Sequence, residues 1–184
     1  FVVDSTTWVV TELPQAVWQL NKPGALEFTY HGHLLIANYA TNTVDEYDPD
    51  AISFTALTAA DGISGPYGAR SIAIGPGHGD VFISNLTSGE ILKFDEDYVS
   101  QGVFADSSDG LVNPTAIAFL ADGHLLVADR ATNMVSHFDS QTGVATPWDT
   151  FVNQPIDIAI ADNQDVFVLD NAGTLFRYTG GVVA

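Results

Sequence analysis

Cysteine is absent from all 184 positions, which excludes disulfides and thiol chemistry and leaves the chain compatible with any redox compartment. Basic side chains are scarce. Lys22, Lys93, Arg70, Arg130 and Arg177 stand against 23 carboxylates, a formal net charge of −18. Such a surface repels phosphate backbones and anionic lipid, so nucleic acid and membrane surfaces are not expected partners. No apolar run reaches the ~18 residues that a membrane-spanning helix needs. The chain starts at Phe1 with neither Met nor a charged-then-apolar leader, and reads as processed or as cut from something longer. Charged residues of both signs make up only 15% of the chain, so Ser, Thr, Asn and Gly must cover most of the surface. The acidic excess fits high salt, calcium-rich surroundings or plain solubility, and the sequence leaves these three open.

Apolar residues make up 46% of the chain, ample for a buried core. Their order is the informative part. In residues 113 to 139 an apolar strand (Ala116 to Leu120) meets the polar turn Ala121-Asp122-Gly123-His124. A second apolar run, Leu125 to Ala128, stops at Asp129, and a third strand, Met134 to Phe138, ends at Asp139. Strands of period two joined by turn residues predict a β-meander. The pattern recurs along the chain, and a repeated meander buries its faces only against its neighbours.

The repeats lie at about 24–60, 68–105, 113–150 and 155–184, with a partial one at 1–20. The expected strands are 25–30, 34–38, 43–47 and 53–57 in the first complete repeat, and 71–74, 81–85, 90–94 and 102–104 in the second. A fourth strand of the third repeat is expected near 144–147. The last repeat should hold 157–160, 166–170 and 174–178, with Gly180 to Ala184 left over. The residues closing each second strand are Asp4, Asn38, Asn85, Asp129 and Asp170, spaced by 34, 47, 44 and 41 residues. Four-stranded propeller blades repeat at that interval. The expected fold is therefore all-β: one β-propeller over residues 1–184, built of four-stranded antiparallel blades, with about five blades or blade parts. A closed five-bladed ring and an open arc, its missing blades supplied by lost sequence or by other subunits, both remain.

The segments VADRATNMVSHFD and IANYATNTVDEYD resemble NHL-type repeats and the wider group of six-bladed propellers that includes gluconolactonases and streptogramin lyases. The alternation, the Asp or Asn ending strand two, and Asn42 and Asn133 fit that pattern. The Arg or Lys usual after that Asn is replaced by Thr43 and Met134. The resemblance implies that loops entering strand one and leaving strand two share one face around a channel mouth. Asn38, Asn85, Asp129, Asp170, Asn113, Asn153 and Asp4 would then lie there. Oxygen ligands of this kind suit Ca2+ or Mg2+, and in the gluconolactonase-like enzymes such a metal polarises the substrate carbonyl. The alternative reading is that each Asp or Asn caps its own turn by accepting backbone amides, which recurrence in every blade favours.

Glu27 is more individual, standing where the other first strands have Ala73, Ala118 and Ala159. A carboxylate there needs a cation or donors to offset its desolvation, unless the strand is an edge in water. Asp157 points to the same face of its own strand. The metal candidates are thus Glu27, Asn113, Asp129 and Asp170, and the ligand-binding candidates Asn38, Asn85, Asn153 and Asp157. His33 and His124 share a repeat position in the turn on the opposite face, with His31 and His78 in equivalent turns; His31 and His33 together could hold a transition metal, but exposed turn histidines are the plainer reading. His137 belongs to a third strand.

Other motifs fail: Gly75-Pro76-Gly77-His78-Gly79 lacks the Lys and helix of a phosphate loop. Gly62-Ile63-Ser64-Gly65 lacks the spacing of a nucleophile elbow. Asp106 to Gly110 lacks the distal Glu of an EF-hand loop. Asn85-Leu86-Thr87 is a formal glycosylation sequon. Trp8, Trp18 and Trp148 are scattered over different repeats and read as core more than as a sugar platform.

The expectation is an extracellular or periplasmic binding or assembly module. It would act through its loop face or its open blade edges on a protein partner or a second copy, with calcium or magnesium as the fitting ion. The alternative is a divalent-metal-dependent lactonase-like or lyase-like enzyme at the channel mouth.

Overall fold

The computed structural model describes residues 20–50, 53–57, 68–149 and 152–179. The expected partial repeat at 1–20, with Asp4, Trp8 and Trp18, lies outside them apart from Leu20, as do Gly62 to Gly65 and Gly180 to Ala184. Among the described residues the only helical element is a 3-10 turn, Ser107–Asp109, and no helix is long and apolar enough to cross a membrane.

Among the described residues fifteen strands form four antiparallel meanders. Blade one is β1 (Pro23–Phe28), β2 (Leu34–Asn38), β3 (Thr43–Asp48) and β4 (Ser53–Leu57). Blade two is β5 (Ala69–Ile74), β6 (Val81–Asn85), β7 (Glu90–Phe94) and β8 (Ser100–Ala105). Blade three is β9 (Pro114–Phe119), β10 (His124–Asp129), β11 (Met134–Asp139) and β12 (Ala145–Asp149). Blade four is β13 (Pro155–Ile160), β14 (Val166–Asp170) and β15 (Leu175–Tyr178). The chain is a propeller-like all-β fold.

All fifteen expected strands form, but the first strands of blades start two residues earlier than the alternation suggests. The cause is a bulge repeated in each inner hairpin. Pro23 pairs with Asn38, Ala69 with Asn85, Pro114 with Asp129 and Pro155 with Asp170, and the register then slips by one residue. The slip breaks the period-two pattern at that point. Proline is tolerated at three of these starts because the first residue of a strand owes the ladder no donor.

The blades stack in chain order, with first strands adjacent from β1 to β5, β5 to β9 and β9 to β13. Among the described residues β1 and β13 are not neighbours in this way, so the four blades form an arc. Each junction has its own apolar core. Leu35, Ala37 and Val44 of blade one pack on Ile72, Val81, Ile83 and Phe94 of blade two. Phe82, Ile91 and Leu111 meet Ile117, Leu125, Val127 and Phe138 between blades two and three. Leu126, Ala128 and Val135 meet Ile158, Val166 and Val168 between blades three and four, where Trp148 lies 4.5 Å from Tyr178, centroid to centroid. That places Trp148 in core packing.

Polar links reinforce the junctions. Asn42 Oδ1 accepts the Ala69 amide at 3.1 Å, and Asn133 Oδ1 accepts the Gln154 amide at 2.8 Å. Both asparagines sit in the left-handed region, φ 58° and 59°, where Asn is tolerated better than most residues. Blade two has Gly89 at that position, and Asn113 supplies the link instead, donating its Nδ2 to the Leu86 carbonyl at 2.9 Å. Gly68 is sterically required: a Cβ there would stand 2.1 Å from Asn42 Oδ1.

Candidate functional site

The residues that begin first strands pair with those that end second strands, so both sets of loops lie at one end of the blades. The closing Asp and Asn are buried there. Asp129, 1% exposed, accepts four backbone amides: Val112 (2.6 Å) and Asn113 (2.8 Å) at Oδ2, Ala131 and Thr132 (3.0 Å each) at Oδ1. Asp170 Oδ1 accepts Ala172 (2.9 Å) and Thr174 (2.7 Å). Asn85 Oδ1 accepts Thr87 and Ser88, each at 3.2 Å. Asn38 accepts the Asn21 amide at 3.2 Å and donates to Asp45 Oδ2 at 2.6 Å. Asn113 is tied to Asp129 through its amide and to Leu86 through its side chain. Asn153 is exposed in the loop leading to β13.

Running along the inner strands is a cavity of about 550 Å³. Its lining includes Glu27 from β1, Ser71 from β5, Ala118 from β9 and Asp157 from β13. Of the eight candidate residues, Glu27 and Asp157 are the two that line this space; Asn38, Asn85, Asn113, Asp129, Asn153 and Asp170 do not. Burial raises the carboxyl pKa of Glu27 above its ordinary value, only partly offset by a hydrogen bond with the Phe28 backbone. A half-buried carboxylate of that kind has a lower cost of ionising if a cation or a donor joins it.

The opposite end of the blades carries the inner hairpin turns. Gly32 and Gly123 take φ of 81° and 88° there, as tight turns require. Blade two has the longer 75–80 connection, closed by Gly75 donating to the Asp80 carbonyl at 2.7 Å. His33 is held by Glu46, Nδ1 to Oε1 at 2.7 Å, and Tyr98 donates to the same oxygen. The ring of His31 lies 6.4 Å from that of His33, centroid to centroid. A grouping that sequence reasoning missed is in blade three, where His124 and His137 stack at 4.1 Å beside Asp122. The signal lies in the register, since His137 faces Leu126, two residues from His124 on the same face.

No protein-family model matches the sequence, and no curated protein does. Solved structures do match. Virginiamycin B lyase from Staphylococcus aureus superposes with a TM-score of 0.64 at 16% identity, covering 88% of this chain and 57% of that one. A nidogen/laminin complex gives 0.74 at 14% identity, over 88% and 60%. A putative gluconolactonase gives 0.65 at 14% identity, over 85% and 63%. The likeness supports a β-propeller of this type, and at these identities it is one of fold. The chain spans about three-fifths of the length of each of these three structures.

Proposed function

We propose that the protein is an extracytoplasmic assembly module that associates with a second copy of itself through the open faces of its end blades. One observation carries this reading. Among the described residues, Leu26 and Phe28, 63% and 64% exposed, stand on the face of β1 that alternates with the one packed on blade two, and Leu175, 62% exposed, stands on the corresponding uncovered face of blade four. At the three internal junctions, faces of this composition are buried against the next blade. Exposed apolar faces of this kind gain free energy when a matching sheet covers them.

Light scattering tests it. The expected wild-type particle is heavier than one 19.6 kDa chain, and a Leu26→Asp/Phe28→Asp variant returns to a single chain. A wild-type particle of one chain at tens of micromolar sinks the self-association reading. Both substitutions are at exposed sites, where the folded state tolerates charge.

A second reading, a divalent-metal-dependent enzyme of the lactonase or lyase kind, is favoured by the shared cavity of Glu27 and Asp157. Its ion would be Ca2+ or Mg2+, and it predicts that either ion raises the melting temperature of the wild type but not of Glu27→Gln. Without ions the same variant has a distinct pH signature. Below the ordinary carboxylate range both side chains are neutral and the two proteins differ least. As pH rises through the raised pKa of Glu27, the wild type loses stability on ionising a half-buried group, so Glu27→Gln gains on it towards neutrality. Melting curves from pH 3 to 8 read the difference, and parallel curves would mean that Glu27 is as well solvated folded as unfolded.

A further inference from the structure

We propose that Asp122, His124 and His137 bind one divalent transition-metal ion of the zinc class, at the end of blade three remote from the closing Asp and Asn residues. The site is independent of self-association and of the Glu27 cavity. Each side chain offers one ligand atom, and the three atoms lie within 4.8 Å of one another. In a tetrahedral zinc site with bonds of about 2.1 Å, ligand atoms stand roughly 3.4 Å apart, so the widest separation has at most about 1.4 Å to close.

The local sequence builds this cluster. Asp122 lies in the tight turn that opens β10, and His124 is the first residue of that strand. His124 faces Asp139 and Leu126 faces His137, which makes the two histidines diagonal neighbours on one face, within side-chain reach. Their rings lie 4.1 Å apart and 17° from parallel. Asp122 Oδ1 accepts the His124 backbone amide at 3.0 Å and lies 3.1 Å from the ring Nδ1. That second approach has an ion-pair distance without the alignment of a hydrogen bond, so the buried Nδ1 has no hydrogen-bond partner. A buried ring nitrogen in that state is costly, and a metal ion accepting its lone pair removes the cost.

The donor set decides the class of ion. Two imidazole nitrogens and one carboxylate suit zinc, cobalt, nickel or copper(II), whereas calcium and magnesium ask for six or more oxygens. The Asp122 side chain is 54% exposed, so an ion enters from solvent and keeps a position for water. Two nearly parallel imidazoles cannot aim in-plane lone pairs at one point, so binding turns one ring about its Cβ–Cγ bond and breaks the stack.

The test is a calorimetric titration of the metal-free full chain with Zn2+ in the presence of millimolar Ca2+, repeated with Co2+ to read visible absorption. One Zn2+ per chain is expected, with changed ring-proton NMR signals of His124 and His137. His137→Gln and Asp122→Asn should each weaken binding about tenfold or more, while His31→Gln leaves it unchanged. Asp122→Asn keeps the oxygen that accepts the His124 amide, so it guards against a variant that simply fails to fold, and circular dichroism checks both. Absence of zinc binding at micromolar concentration overturns the proposal. So does binding that survives in a His124→Gln/His137→Gln double variant, or binding abolished by His31→Gln.

Discussion

Replacing Asp129 by alanine should lower the melting temperature by about 10 °C. The carboxylate is buried and accepts four backbone amides, two from the loop that enters blade three and two from the turn that leaves β10. Hydrogen bonds to a charged group contribute about 1.5–3 kcal/mol each, and they do not add when all four share one side chain. A loss of about 3 to 5 kcal/mol is therefore expected, and in a protein of this size each kcal/mol moves the midpoint by about 2–4 °C. Asp129→Asn should lose about half as much, because its remaining oxygen still serves Ala131 and Thr132 as Asn85 serves Thr87 and Ser88 in blade two. Differential scanning calorimetry decides it. An alanine variant that melts with the wild type would show that this carboxylate is held for a ligand rather than for the fold.

Phe82→Ala should cost as much, by a different route. Phe82 is fully buried where blades two and three meet, edge-on to Phe104 at 5.0 Å and to Phe119 at 5.1 Å. Removing a buried phenyl forfeits its transfer free energy and leaves a cavity, typically about 3 to 5 kcal/mol, with a further ~0.5–1.5 kcal/mol for each edge-to-face pair that is lost. Phe82→Leu keeps most of the volume and should cost about 1–2 kcal/mol. Urea unfolding separates the two variants. Equal losses would mean that aromatic geometry matters more than volume at this junction.

The fold was legible in the sequence because it is written four times. A single meander of short apolar runs is ambiguous, but the return of the same Asp or Asn at nearly constant spacing turns weak local signals into one strong one. The extra residues at the starts of β1, β5, β9 and β13 were hidden by the bulge, which a period-two pattern cannot register. The site was less legible for a related reason. Glu27 and Asp157 stand out within their repeats by departing from an Ala or by sharing its face, and both line the inner cavity. Asp129 and Asp170 recur, and recurrence is what a turn cap and a ring of ligands have in common, so spacing alone cannot separate the two, and the four amides that Asp129 accepts are seen only in the structure. The grouping of Asp122, His124 and His137 depends on which residues face each other across one hairpin. Two residues of slip would leave the same sequence with the histidines apart.

The stacking of blades in chain order also governs how the molecule comes apart. Each described blade leans only on its neighbours, so its stability is a sum of single blades and shared junctions, as in a row of coupled units. Among the described residues, blades two and three each share two junctions, while blades one and four each share one. Opening therefore starts at the termini of the row and moves inward, and β6 and β10 are the last strands to give up their amide protons to solvent. A surface that covered Leu26 and Phe28 would do more than hide apolar area: it would give blade one a second neighbour and close the end from which the row frays.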